Sequence, residues 1–191
     1  MDSKYIAYLV KQVHLRPLVV HFDNGWNSEI AVQNIQKIIE YLDADLYTLV
    51  VDWEEFRDLQ RAYIKAGVVD IEVLTDHSII ATLYELADKH GINYVISGTN
   101  TETEELLPKA WIFNKIDSVN IKSSHKHFGE VKLKTYPIFS VLKKKYYRMF
   151  KKLDFVKPIN WASYNKEQVK QIISEEIGWT DYGGKHHESV F

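Results

Sequence analysis

Three short segments carry side chains that can do chemistry together. Asp2-Ser3 heads an apolar-periodic stretch, His21-Phe22-Asp23-Asn24-Gly25 follows a short β-rich run, and Ser97-Gly98-Thr99-Asn100 follows another. Carboxylates of this kind hold divalent cations, and small hydroxyls beside free N–H groups at a helix N-terminus hold phosphate. Each segment also has a plain structural alternative. Asp2 and Ser3 are good helix N-caps, Asp-Asn-Gly is an ordinary turn, and Ser-Gly-Thr-Asn is an ordinary loop. Thr75-Asp76-His77 poses the same choice, between a substrate contact and the cap of a helix with flanking residues. Gly183-Gly184-Lys185 could hold an anion through backbone amides and an ammonium group, or simply turn the chain. His186 and His187 resemble a metal or proton-transfer pair, but adjacent side chains point in different directions, so joint ligation is not expected.

These segments meet only if the elements between them bring them together. Ile6, Leu9, Val10 and Val13 recur at helical spacing from Lys4 to Val13, and Pro17 breaks the pattern. Leu18 to Phe22 reads as a strand buried on both faces. Asn27 or Ser28 can cap a second helix with a stripe at Ala31, Ile35, Ile38, Ile39 and Leu42. A strand over Leu46–Val51, a helix over about Trp53–Ala66, a helix striped by Ile79, Ile80, Leu83, Leu86, Ala87 and His90, and a strand over Tyr94–Ser97 follow, with Gly91 ending the last helix. This alternation predicts an α/β fold, a parallel sheet with helices on both faces. In such sheets ligands bind beyond the carboxyl ends of the strands, where the three segments fall. Beyond Asn100 the pattern turns helical: loop and short helix over Thr101–Lys115, a basic amphipathic helix over Phe139–Leu153, and a final helix over Asn165–Ile177. We expect a core over residues 1–110 and a helical C-terminal extension of the same domain over 111–191.

Composition bounds the function. The 191 residues are 46% hydrophobic and 26% charged, enough for one globular core. With 24 Lys+Arg against 26 Asp+Glu the formal charge is -2, so any basic surface must be local. The absence of cysteine excludes thiolate zinc sites, iron–sulfur clusters and a thiol nucleophile in this chain. Met1 leads directly into Asp2-Ser3 with no apolar leader or span, so a cytoplasmic protein without a membrane partner is expected.

The run Met1-Asp2-Ser3 resembles the end of the Ser-Gly-Gly-x-Asp-Ser pyrophosphate loop of the ATP pyrophosphatase (PP-loop) superfamily, whose fold is adenine nucleotide alpha hydrolase-like. HFDNG resembles the strand-end segment that receives adenosine there, and SGTN with Thr101-Glu102 the later Gly-Thr segment of amide-forming members. More specifically, LRPLVVHFDNGWNSE, VVDWEEFRDLQ, Thr75-Asp76-His77 and GWTDYGGKHHESVF resemble the N-acetyl sugar amidotransferases of lipopolysaccharide and flagellar-glycan biosynthesis, along essentially the whole chain.

That resemblance implies an ATP- and Mg²⁺-dependent amidotransferase that converts an acetamido to an acetamidino sugar with ammonia supplied by a partner glutaminase. It implies Asp2 as the leading Mg²⁺ ligand, Ser3 at the phosphates, Asp76 in the catalytic set, and His21, Phe22, Asp23 and Asn24 around the nucleoside. Ser97, Gly98, Thr99 and Asn100 would approach the phosphates from the other side, with Glu102 toward the metal. Thr75, His77, Lys109, Lys185 and His186 are the substrate candidates. Two departures stand beside it: the Ser-Gly-Gly and the strand before it are absent, and so are the cysteine pairs of longer members. A truncated or alternatively started amidotransferase is the expectation, its missing inner strand leaving neighbours without hydrogen-bond partners.

The residues also leave other classes open. A degenerate, non-catalytic PP-loop subunit that binds a partner is one. From Val131 to Lys152 there are eight Lys/Arg and no Asp/Glu, interleaved with Tyr136, Tyr146, Tyr147 and Phe150. Leu142, Tyr146, Met149 and Leu153 share a helical face, which predicts an amphipathic helix packed on the core with solvated lysines. The alternatives are an anionic sugar-nucleotide site, a glutaminase docking face, or RNA, as in PP-loop enzymes that modify tRNA. Nucleic acid is not the expected partner, and a homo-oligomer is left open.

Overall fold

The computed structural model describes residues 2–99, 114–161 and 164–183. In chain order the elements are α1 (Asp2–Gln12), β1 (Val19–Asp23), α2 (Glu29–Leu42), β2 (Leu46–Val50), α3 (Trp53–Lys65), α4 (Val73–Lys89) and β3 (Tyr94–Ile96). They continue as α5 (Ser118–Phe128), α6 (Val141–Phe150), β4 (Asp154–Val156), a 3₁₀ turn (Pro158–Trp161) and α7 (Lys166–Ile177). The fold is mixed α/β, with parallel strands flanked by helices.

Local chemistry sets the helix starts. Ser28, rather than Asn27, caps α2 through its Oγ, which accepts the Ala31 N–H. Asp52 caps α3 and Asn165 caps α7 in the same way. Asp76, weighed as a cap, is not one: α4 begins at Val73, which places Asp76 inside its first turn.

The strands form two parallel pairs rather than one continuous sheet among the described residues. β1 pairs with β2, Val19 opposite Leu46 through Asp23 opposite Val50, and β3 pairs with β4, Tyr94 opposite Asp154 through Ile96 opposite Val156. α4 packs against both β1 and β3 and bridges the pairs. The expectation that β1 is buried on both faces is corrected, since all five residues are half-buried and β2 is mostly exposed. β4 is a strand within the stretch expected to be helical. Its three residues, between a basic helix and Lys157-Pro158, are too few to show periodicity. α5 was hidden by composition: SVNIKSSHKHF buries only Ser118, Ile121 and Ser124, and it starts where Asp117 Oδ1 accepts the Val119 and Asn120 N–H groups, both at 3.0 Å.

Three apolar clusters hold these parts. Tyr5, Ile6 and Val10 of α1 meet Leu42 and the α7 residues Val169, Ile173 and Ile177. Tyr84, Val95, Phe139, Tyr147 and Leu153 join α4, β3 and α6. Phe56, Leu59 and Tyr63 of α3 pack with Leu74, Ile121 and Tyr136. Beside the third cluster two carboxylates of α3 clasp the chain between α5 and α6. Glu55 accepts the N–H groups of Lys134, Thr135 and Tyr136, and Asp58 those of Glu130 and Val131, at 3.0–3.2 Å.

The outer face of α6 overturns one expectation. Tyr147 is its only buried residue, whereas Leu142 is 75%, Met149 71% and Tyr146 48% exposed, so three of the four residues of the predicted core stripe point to solvent, and the fourth, Leu153, is buried just past the end of the helix. The inward face is chosen by Tyr147, which packs between Tyr84 and Phe139, and the longer stripe loses that competition. Among the described residues no helix is long and apolar enough to cross a membrane.

Candidate functional site

The beginning of α1 lies against the end of β3. A Cβ at Gly98 would stand 2.8 Å from Ser3 N and 3.1 Å from Asp2 C, so only glycine permits this approach of backbone to backbone. The contact brings the main chain of the first turn of α1 beside Ser97, Gly98 and Thr99. There Ser97 Oγ and Thr99 Oγ1 share a 2.7 Å hydrogen bond, and Thr99 N–H donates to Ser97 Oγ at 3.2 Å.

At the end of β1 the Asp23-Asn24-Gly25 turn is built from two side-chain bonds. Gly25 N–H donates to Asp23 Oδ1 at 2.9 Å and Trp26 N–H to Asn24 Oδ1 at 3.2 Å, and Gly25 takes a φ of 80°. Asn27 Nδ2 donates to Asp23 Oδ1 at 3.1 Å and lies 3.4 Å from His21 Nε2. Burial lowers the His21 pKa, against the opposing pull of Asp23, so a neutral imidazole is favoured.

A cleft of two lobes joins these ends. One lobe, of about 540 Å³, is lined by Asp2, Ser3, Lys4, Asp76, Ser97, Gly98, Thr99 and Tyr182. The other, of about 680 Å³, lies between α2 and the β1–β2 face, with His21, Asp23 and Thr48 beside Val32, Ile39 and Leu46. Asn27 and Ile35 line both. The first lobe thus gathers carboxylates, hydroxyls, a lysine and a helix N-terminus, and the second is mainly apolar with a few polar groups. A ligand with a charged end and a flat or apolar end matches that division.

Each carboxylate in the polar lobe has a distinct tether. Tyr164 Oη donates to Asp2 Oδ1, and burial together with the Asp2 charge pushes the Tyr164 pKa upward. Asp76 Oδ2 is 3.0 Å from Lys115 Nζ, which also bonds Asp70. Burial alone would lower the Lys115 pKa, and the bonds to Asp70 and Asp76 raise it. Among the described residues no three histidine, aspartate or glutamate side chains form a metal cage. Mg²⁺ on a nucleotide requires less, one or two carboxylates with phosphate oxygens and water, and Asp2 at the head of α1 fits that need.

Of the sequence candidates, Asp2, Ser3, Asp76, Ser97, Gly98 and Thr99 come together in the polar lobe, and His21 and Asp23 line the apolar one. Phe22 does not join them. Its ring turns to the other face of β1 and packs edge-on against Phe56, as strand alternation requires. Asn24 serves the turn. Thr75 hydrogen-bonds Glu72, and His77 is fully buried, with Nδ1 at 2.9 Å from Lys115 O and Nε2 accepting the Phe139 N–H at 2.9 Å. Both ring nitrogens of His77 are therefore used by main chain, away from the cleft lining. Asn100, Glu102, Lys109, Lys185 and His186 lie outside the described residues.

Lys4, Asn27 and Tyr182 are cleft residues the sequence reading missed. Lys4 adjoins Asp2-Ser3 and Asn27 is four residues past Asp23, so both stood beside recognised segments. Tyr182 lies within the GWTDYGGKHHESVF phrase, where it was not singled out.

No family model and no curated protein matches the chain. Among solved structures it is similar to a predicted subunit of tRNA methyltransferase from Methanocaldococcus jannaschii, at 14% identity and a TM-score of 0.48, over 91% of this chain and 69% of that one. The chain is a mixed α/β protein whose cleft borders the carboxyl ends of β1 and β3.

Proposed function

We propose that this cleft binds Mg²⁺ and ATP and that the protein activates the acetamido group of a sugar for attack by ammonia. The observation that carries the reading is the fit of Gly98 against Ser3, which sets the N–H groups of α1 and the Lys4 ammonium beside the ends of two parallel strands. The sugar and the amidation come from the resemblance of the long phrases HFDNGWNSE, VVDWEEFRDLQ and GWTDYGG to N-acetyl sugar amidotransferases.

In this reading the acetamido oxygen attacks the α-phosphorus and pyrophosphate leaves. Ammonia then adds to the activated carbon, and AMP departs from the acetamidino product. The residues of this chain do the holding. Ser3, Thr99 and the amides of the first turn of α1 receive phosphate oxygens, Asp2 holds the metal with Tyr164 fixing its orientation, and the apolar lobe takes the nucleoside beside His21 and Asp23. The ammonia comes from a separate glutaminase. Adding ATP, Mg²⁺, ammonium and an acetamido sugar should release AMP and pyrophosphate in equal amounts, and release that is independent of the sugar would contradict the reading.

A second reading is favoured by one observation, the outer face of α6. Tyr146 and Phe150 sit 5.4 Å apart on that exposed face, in a helix that also carries Lys144 and Lys145, for which the described residues supply no carboxylate. Exposed aromatics among lysines stack bases and neutralise phosphates, the pattern expected of an RNA-modifying protein. Binding of transfer RNA that weakens steeply with salt, and is lost in Lys144→Glu/Lys145→Glu, would support it over the first.

A further inference from the structure

The chain after α7 is fastened across α2 by contacts that the cleft alone does not explain. Gly178 turns the chain at φ 69°, and Trp179 is buried in the α1–α7 cluster. Asn34, only 1% exposed, then grips Thr180 twice: its Nδ2 donates to Thr180 O and its Oδ1 accepts the Thr180 N–H, both at 2.9 Å. Lys37 Nζ adds bonds to Gly178 O at 2.7 Å and Thr180 Oγ1 at 3.1 Å. A buried amide that satisfies both main-chain groups of one residue fixes the position of that residue and leaves little freedom to the next two.

What the strap delivers is the ring of Tyr182. It lies on the wall of the polar lobe, in a T-shaped contact with Trp179 at 5.8 Å, with Lys4 Nζ over one face of the ring, 5.2 Å from its centroid, so that the opposite face is the one a sugar would take. An aromatic face beside carboxylate, amide and hydroxyl groups suits a pyranose. The apolar C–H face of the sugar packs on the ring, while Asp76, Asn27 and Ser97 line the same lobe and supply polar groups for its hydroxyl or acetamido groups. A nucleobase is better served by the other lobe, where Val32, Ile39 and Leu46 supply apolar surface.

We propose that Tyr182 is the stacking platform for the sugar ring of the acceptor substrate and that Asn34 is the positioning residue that holds the platform in the cleft. The inference rests on the reading of the cleft as a nucleotide and acetamido-sugar site, and it adds the residues that select the sugar.

Calorimetric titration of the full chain with UDP-N-acetylglucosamine, with UDP and Mg·ATP as separate titrants, tests it. Tyr182→Ala should weaken UDP-N-acetylglucosamine about tenfold, and leave UDP and Mg·ATP within about twofold. Tyr182→Phe and Tyr182→Trp keep a ring and should bind within about threefold of the parent. Asn34→Ala should reproduce the sugar-selective loss without touching ligand, and Asn34→Asp, which still accepts the Thr180 N–H, should fall between it and the parent. Unchanged sugar affinity in Tyr182→Ala, an equal loss for all three titrants, or no sugar binding by the parent would overturn the proposal. Failure of the parent to bind Mg·ATP would instead count against the nucleotide reading, so the two failures are distinguishable.

Discussion

Two regions of this molecule use the same residue types to opposite ends. On α3, Glu55 and Asp58 are buried acids whose oxygens are filled by main-chain N–H groups of residues 130–136. At the head of α1 and the end of β1, Asp2 and Asp23 line a cleft, Asp2 held through one oxygen by Tyr164 and Asp23 through one oxygen by the Gly25 N–H and Asn27 Nδ2. Histidine divides the same way. His77 has both nitrogens bonded to backbone, while His21 is half-buried, lines the cleft and lies 3.4 Å from Asn27 Nδ2. A polar side chain whose capacity is consumed by main chain serves the scaffold, and one with spare capacity in a concave place is available for ligand.

The contrast can be broken first at the clasp. Glu55→Ala removes at once the acceptor of three amides, one of them on buried Tyr136, and should cost about 3 kcal/mol of unfolding free energy, measured by urea denaturation. Glu55→Gln, which keeps one acceptor oxygen, should cost less. His77→Ala comes next. It leaves the Phe139 N–H and the Lys115 carbonyl unpaired inside the protein and should cost about 2 kcal/mol. A loss below about 0.5 kcal/mol in either would show that these groups are not the scaffold described.

Acid should find the same scaffold. Burial lowers the His77 pKa, so the folded state prefers the neutral ring. Its stabilising contribution is complete above the unfolded-chain value of about 6.5 and falls as pH drops below it, because the unfolded chain then binds a proton that the folded one resists. Glu55 follows lower. Burial raises its pKa, the backbone bonds lower it by more, and the net is a depressed value. Its contribution is present above about 4.3 and is lost as pH falls through the depressed value. Urea midpoints from neutral pH down to 5.5 should decline in the parent and decline less in His77→Gln; parallel curves would exclude His77 as the source.

The cleft side should respond in function more than in stability. Asp2→Asn keeps an acceptor for Tyr164 and should shift stability by no more than about 0.5 kcal/mol. Under the nucleotide reading it should abolish the Mg²⁺ dependence of ATP binding. Tyr164→Phe, which frees the Asp2 carboxylate from its tether, should have a smaller effect of the same kind. Equal Mg²⁺ dependence in parent and Asp2→Asn would remove Asp2 from the metal role.

Much of this arrangement is legible along the chain because it is local. The helix–strand alternation from Lys4 to Ser97, the cap at Ser28 and the turn at Asp23-Asn24-Gly25 depend on residues a few positions apart, and the structure keeps them. What escaped depends on partners far away in sequence. The pairing of β4 with β3, the grip of Asn34 on Thr180 and the arrival of Tyr182 in the cleft leave no periodic trace. Phe22 and His77 were misplaced by proximity to real site residues: strand alternation turns Phe22 to the other face, and the first turn of α4 points His77 inward while Asp76 reaches the cleft. The outer stripe of α6 shows the limit of amphipathicity, since a helix with aromatic and aliphatic residues on several faces buries whichever one its neighbours complement.

The central claim is that the close fit of Gly98 to Ser3 makes the head of α1 a nucleotide-phosphate site. Titration of Mg·ATP into the parent and into Gly98→Ala tests it directly, because the added methyl group must push the Asp2–Ser3 backbone away from Gly98. The account predicts saturable, Mg²⁺-dependent binding by the parent and at least a tenfold loss, about 1.4 kcal/mol, in a Gly98→Ala variant that still unfolds cooperatively. Equal binding by both, or none by a folded parent, would contradict it.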